Sequence, residues 1–212
     1  MPLQHIIHLN PHCIIGVWHL KEPEEYFTPH FHEVVTDRTK FEEITHTKRR
    51  TEWLTGRWLV RVLVERMHLK FSGIWTDEYN KPHLTADNAT ISISHAEPYV
   101  VAILNTKEFC GIDVEKLRDK LKPLSKKFLN EEELEMANND LTNLAILWGA
   151  KEALYKLHGK KSLIFKENLK IEGLDISRGD RSFIGKINID EEHEVYNMRA
   201  GKFGNYVLVH TL

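Results

Sequence analysis

CGIDVEKLRDK, residues 110–120, sets two carboxylates two positions apart in an apolar run and follows them at once with basic side chains. In an extended strand, residues i and i+2 project from the same face. Asp113 and Glu115 would therefore stand side by side, with Ile112 and Val114 turned the other way. The question is what two carboxylates aimed at one place would hold.

Outward from that strand, the preceding half reads as helix and then hairpin. TEWLTGRWLVRVLVERMH, Thr51 to His68, repeats large apolar residues at mixed i+3 and i+4 steps, a well-buried helix with Thr51 as N-cap. Gly56 would cost about 1 kcal/mol there, so close packing is the reason it is tolerated. FSGIWTDEYNKPHLTADNA reads as irregular, with Pro82 as a breaker, and the segments Ile91 to Ile93 and Tyr99 to Leu104 read as two strands joined by SHAEP. On the other side, polar NEEELEMANND leads into a second helix, LTNLAILWGAKEALYKLHG, closed by Gly159. KINIDEE, EVYNMRA and NYVLVHTL then alternate as an antiparallel meander. Helix and sheet occur in both halves, an α+β pattern.

The composition narrows the function classes. With 212 residues, 42% hydrophobic and 28% charged, the chain has the makings of one large domain or two small lobes and no extended disorder. MPLQHIIHLN has no charged n-region before an apolar stretch, and runs such as YVVAIL fall far short of the ~20 residues a bilayer needs. A cytoplasmic protein without membrane contact is expected. Cys13 and Cys110 form no metal or disulfide spacing and are expected reduced. A net charge of -2 argues against nucleic acid as a partner. Basic residues nevertheless cluster at Lys48 to Arg50, from Lys116 to Lys127, and at Lys156, Lys160 and Lys161, runs that read as solvated faces unless they converge on an anion.

On the second helix Trp148, Glu152, Tyr155 and Lys156 share one stripe, while Lys151 falls on the neighbouring stripe with Leu147, Leu154 and His158. Taken alone, Lys151 reads as a lysine whose stem covers apolar surface and whose head reaches water.

Gly111-Ile112-Asp113-Val114-Glu115 followed by Trp148-Gly149-Ala150-Lys151-Glu152-Ala153-Leu154-Tyr155-Lys156 resembles the paired signature of the 4′-phosphopantetheinyl transferases, G-[IV]-D-[VIL]-E and [FW]-x-x-K-E-[AS]-x-x-K. YNKPHL resembles the family's G-K-P segment, ISISHAEPYVVAIL its N-[IL]-S-H-[ST] segment, and KRRTEWLTGR the R-x-x-E-x-L-x-G-R start of the larger, surfactin-synthetase-activating (Sfp) type. The likeness implies two similar α+β lobes, expected at 1–106 and 107–212, forming a pseudo-dimer within one monomeric chain.

It also implies a reaction, in which a serine of an acyl- or peptidyl-carrier protein attacks the β-phosphorus of coenzyme A, takes the phosphopantetheine arm and releases adenosine 3′,5′-bisphosphate. Phosphoryl transfer depends on positioning and on neutralising charge. By the resemblance, Asp113, Glu115 and Glu152 would hold Mg²⁺, a cation that favours carboxylate oxygens. Lys156 would approach the phosphates, Lys81 would bind the nucleotide phosphates, and Ser94 and His95 match a position that contacts coenzyme A. Arg49 or Arg50 would take its 3′-phosphate. Glu133 aligns best with a proposed general base, with Glu131 and Glu132 adjacent. An acidic carrier would dock on the basic run Lys116 to Lys127, where Leu121 and Leu124 would add apolar contacts.

Asn80 replaces the usual glycine before Lys-Pro, and asparagine tolerates a left-handed backbone. Ile93 and Ala96 stand where the family has leucine and a hydroxyl residue. His30 and His32, drawn together with His5, His8 and His12, lack a third ligand of persuasive spacing and read as surface or core histidines, and Trp53, Trp58 and Tyr99 as core. Two other classes remain: a non-catalytic carrier or nucleotide binder, and a Mg²⁺-dependent phosphohydrolase.

Overall fold

The structure is a computed structural model that describes residues 3–31, 38–86, 88–159, 163–174 and 181–212. His32, Lys160 and Lys161 of the sequence reading lie outside the described residues. The chain separates into two compact units, Met1–Cys110 and Gly111–Leu212. Each contains a long helix packed on an antiparallel sheet.

Unit one contains β1 (Leu3–Asn10), β2 (Cys13–His19), β3 (Ile74–Thr76), β4 (Pro82–Leu84), β5 (Thr90–Ala96) and β6 (Tyr99–Asn105). Its main sheet runs β1-β2-β6-β5, and β3 and β4 form a separate two-stranded sheet. The segment read as irregular therefore carries a small hairpin. Pro82 opens β4, where its missing N–H costs no ladder bond, and Asn80 takes the left-handed turn at φ 69°. The Thr47–Arg66 helix starts one turn before the expected cap. Lys48, Arg49 and Arg50 are good helix formers, and Thr51 turns its hydroxyl back onto the Thr47 carbonyl at 3.0 Å inside the helix. Leu54, Leu59, Leu63 and Val64 bury against Ile14, Trp18, Ile91 and Leu104. Gly56 lies directly under β5: an ideal Cβ there would sit 2.7 Å from Ile93 Cγ2, which explains a glycine in mid-helix.

Unit two begins with β7 (Ile112–Lys116) and continues through helices Leu121–Phe128, Glu131–Ala137 and Leu141–His158 to β8 (Leu169–Glu172), β9 (Arg181–Ile189), β10 (Glu192–Phe203) and β11 (Tyr206–Thr211). The strands β8 to β11 form a meander, and β7 adds to β11 at its edge. The polar stretch NEEELEMANND holds a helix of its own because Asn130 and Glu133 cap each other, Glu133 N–H to Asn130 Oδ1 and Asn130 N–H to Glu133 Oε2, both at 2.9 Å. The long helix starts on Asp140, which accepts from Asn143 N–H at 2.9 Å, and stops on Gly159 at φ 77°, whose N–H reaches Tyr155 O. Leu144, Leu147, Ala150, Leu154 and Leu157 bury with Val207, Val209 and Ile187. No helix among the described residues is long and apolar enough to cross a membrane.

Candidate functional site

β7 pairs with β11 so that Asp113 lies opposite Val209 and Glu115 opposite Val207. Val207 and Val209 bury in the core with the Leu141–His158 helix, so the carboxylate face of β7 is the face turned to that helix. Asp113 is only 4% exposed. Its Oδ2 comes within 3.4 Å of where a Cβ on Gly149 would stand, so the glycine leaves room for the carboxylate. Its Oδ1 accepts from Lys156 Nζ at 2.6 Å.

Three acids in so little water repel one another. Burial, then the Asp113 charge, pushes the Glu115 carboxyl above the ordinary range, with Arg118 and Lys120 opposing. Glu152 is pushed further, to about 7, first by burial and then by Asp113, with Lys156 opposing and Glu115 adding. Strand and helix thus bring Asp113, Glu115, Glu152 and Lys156 into one electrostatic neighbourhood. Among the described residues, no three His, Cys, Asp or Glu side chains are arranged as a metal cage, and the charge beside Asp113 is the Lys156 ammonium. The donor chemistry nevertheless fits a hard divalent cation: all three groups are carboxylates, and burial followed by the Asp113 charge raises the proton affinities of Glu115 and Glu152, the two effects a bound cation would offset.

A pH dependence follows. Glu152 keeps its proton to about 7 in the folded protein and loses it near 4.5 when unfolded, so folding stability falls as pH rises between those values. The loss amounts to at most about 3 kcal/mol. Without divalent cations, thermal melts should show a lower Tm at pH 8 than at pH 5. Glu152→Gln should flatten that slope, and Mg²⁺ should raise Tm more at pH 8 than at pH 5. A melt equally insensitive to Mg²⁺ at both pH values would remove the metal from this site.

Lys151 and Glu133 lie elsewhere than the sequence reading put them. Lys151 does not reach water: its side chain is fully buried, and Nζ donates to Glu133 Oε2 at 2.6 Å, Phe128 O at 2.8 Å and Phe165 O at 2.9 Å. Glu133, also 0% exposed, takes its other bonds from Asn130 N–H and Ile171 N–H at 2.9 Å. A general base needs an oxygen open to the proton it removes. Glu133 has both oxygens engaged inside the core.

Unit one contains an open cleft of about 700 Å³ lined by Lys40, Arg49, Trp53, Arg57, Asn80 and His95, among others. Arg49 is solvent-exposed there. Arg50 is committed elsewhere: it forks onto Glu24 at 2.8 and 3.0 Å and lies over the Phe41 ring at 4.0 Å. His95 lines the cleft with its Nε2 3.3 Å from Glu52 Oε2. Ser94, its neighbour on β5, alternates to the opposite face and is buried. Lys81 is half-buried outside the cleft lining, its ammonium 5.8 Å from the Phe109 ring centroid and its proton affinity lowered by burial. The sequence reading passed over Lys40 and gave no role to Arg57, the arginine that closes the R-x-x-E-x-L-x-G-R match. Arg57 is legible in retrospect, since Arg49, Trp53 and Arg57 recur every four residues on one helix face, and its guanidinium stacks 3.2 Å from the Trp53 ring centroid.

The basic run forms the end of β7 and the Leu121–Phe128 helix. Arg118, Lys120, Lys122, Lys126 and Lys127 are exposed. Leu121 is buried at 4% and belongs to the core, so it offers nothing to a partner, whereas Leu124 is 40% exposed.

Residues 39–105 match the family model described as the 4′-phosphopantetheinyl transferase N-terminal domain, and residues 109–208 match that of the 4′-phosphopantetheinyl transferase superfamily. No curated protein matches the chain.

Proposed function

We propose that this chain, which belongs to the 4′-phosphopantetheinyl transferase superfamily, is a monomeric, cytoplasmic enzyme of the Sfp type that modifies apo acyl- or peptidyl-carrier proteins. The carrier serine Oγ gives its proton to solvent or to the leaving phosphate and bonds to the β-phosphorus of coenzyme A, the bond from that phosphorus to the bridging oxygen breaks, and adenosine 3′,5′-bisphosphate leaves with that oxygen. The observation that carries the reading is the shared field of Asp113, Glu115 and Glu152 with Lys156 against Asp113.

Asp113, Glu115 and Glu152 are the residues that would hold Mg²⁺. When bound, the ion supplies neutralisation of the pyrophosphate oxygens and a template for them. Lys156 adds a mobile point charge to the same place, one that can pass from Asp113 to a phosphate oxygen. In unit one, Arg49 and His95 are the groups open to the cleft and are assigned to the phosphates of coenzyme A. Arg50 and Ser94 are engaged in packing, so they fall outside this assignment.

Mass spectrometry of an apo-carrier protein incubated with the chain, coenzyme A and Mg²⁺ tests the reading. Transfer adds about 340 Da, the mass of the arm. Unchanged carrier with consumed coenzyme A would show a phosphohydrolase, and neither change would show a binding protein.

The outward face of the Leu121–Phe128 helix and its approach, with Lys120, Lys122, Lys126 and Lys127 around Leu124, suits an acidic carrier. Reversing the charge of Lys120 and Lys127 should raise KM for the carrier on the order of tenfold and leave KM for coenzyme A near its original value. Equal rises in both would count against this docking face.

A further inference from the structure

The buried pair Lys151–Glu133 joins more segments of unit two than any other polar contact described above. Lys151 lies on the Leu141–His158 helix, one residue before Glu152. Its ammonium is held by the carbonyl of Phe128, the last residue of the Leu121–Phe128 helix, by the carbonyl of Phe165, the first residue of the short Phe165–Asn168 helix, and by Glu133. Glu133 in turn holds the Asn130 cap and the N–H of Ile171 in β8. All three ammonium protons and both carboxylate oxygens are engaged, which is the condition under which such a pair survives full burial.

The arrangement constrains motion in two ways. Consecutive residues of a helix point about 100° apart, so fixing the Lys151 head on three acceptors fixes the azimuth at which Glu152 leaves the same helix. The Phe128 carbonyl is one of the orphan acceptors at a helix C-terminus, so the same ammonium holds the end of the basic helix. Apolar contact supports this link but lacks its direction: Trp148 meets Phe128 edge-on at 4.9 Å and lies 5.5 Å from Phe165. Lys40 and Arg57 by contrast reach surface loops and a cleft wall, and Arg50 pairs at a helix flank.

We infer that Lys151 and Glu133 are positioning residues, a buried clamp that holds the basic carrier-docking helix in register with the helix presenting Glu152 and Lys156. The inference rests on the transferase reading for its consequence, though the clamp itself has a readout without turnover. Lys151 touches no reacting atom, and its effect passes through Phe128 and Glu152. Glu133 works as the counter-charge of Lys151 and accepts no proton from substrate.

Removing one partner alone would leave a buried charge and risk unfolding, so the informative variant is the double substitution Lys151→Met with Glu133→Gln, whose groups are close in size and uncharged. Amide hydrogen exchange on the full chain at a temperature well below Tm reads the clamp directly. Exchange across residues 121–131 should speed up by about tenfold or more, with β9 and β10 amides unchanged. In transfer assays, kcat with carrier should fall by about tenfold or more, direct binding of coenzyme A should stay within twofold, and the acidic limb of the pH–rate profile should keep its position. Unchanged exchange in 121–131 would overturn the clamp, as would exchange that rises equally everywhere. Loss of the acidic limb in the double variant would overturn it in favour of Glu133 as a general base. Local loosening in the double variant, beside a wild-type protein that transfers nothing, would support the clamp and sink the transferase reading instead.

Discussion

Replacing Asp113 by asparagine is expected to lower kcat for phosphopantetheine transfer by about 10²–10³-fold or more while leaving the fold intact. Asp113 is the charged group to which the site's other charges answer: after burial, its charge is the next cause that raises Glu115 and Glu152, and Lys156 rests on its Oδ1 at 2.6 Å. Asparagine keeps the shape, so Gly149 still accommodates it, but it withdraws the anion that would bind a cation and anchor the lysine. Lys156 is 27% exposed in its side chain and can turn to water, so the loss leaves no buried unpaired charge. Burial, the larger cause, stays, but relief of repulsion should lower the Glu152 carboxyl from about 7, and the fall in Tm between pH 5 and pH 8 should shrink in part. The checks are the 340 Da adduct assay at matched folded protein, about the arm's mass, and a melt at both pH values. Full activity in Asp113→Asn would mean that the chemistry lies elsewhere in the chain.

Local pattern made much of this legible. The i, i+2 relation set Asp113 beside Glu115 in β7, and the helix stripe of Trp148, Glu152 and Lys156 runs along the covering helix as its spacing requires. What pattern could not show was the destination of side chains that leave their element. Lys151 looked like a surface lysine because a lone charge on an apolar stripe is most cheaply explained by water. Its acceptors come from residues 128, 133 and 165, separations that no local rule encodes. Glu133 aligns best with a general base, with Glu131 and Glu132 open beside it, although Asn130 three residues earlier is the other half of a capping box with Glu133. The sequence reading leaves the choice between Arg49 and Arg50 open, although the R-x-x-E-x-L-x-G-R spacing sets its first arginine three residues before Glu52, at Arg49; in the structure Glu24 pairs with Arg50.

The other large effect concerns the glycine that opens the motif. Gly111→Ala is expected to destabilise unit two by about 3 kcal/mol or more, and to lower transfer further than the loss of folded protein explains. The cause is approach rather than backbone freedom. An ideal Cβ at 111 would lie 2.1 Å from the Ala153 carbonyl oxygen and 3.1 Å from Leu157 Cβ. The obstacle is backbone inside the long helix, which cannot rotate away. Nor can the strand retreat freely, because Gly111 N–H donates to Thr211 Oγ1 and Gly111 O accepts from Thr211 N–H, both at 3.0 Å. Helix and strand must therefore part, and the parting occurs two residues before Asp113 and one residue after Glu152. A shift of about 1 Å between reacting groups is enough to cost on the order of 10²-fold in rate. Gly201 is the control: a Cβ there meets nothing within 4 Å, so Gly201→Ala should change stability by less than about 0.5 kcal/mol. For a unit of this size, 3 kcal/mol corresponds to a Tm lowered by more than about 10 °C. If Gly111→Ala melts with Gly201→Ala and transfers at the wild-type rate, the close seating of β7 on its helix is not what aligns the carboxylates.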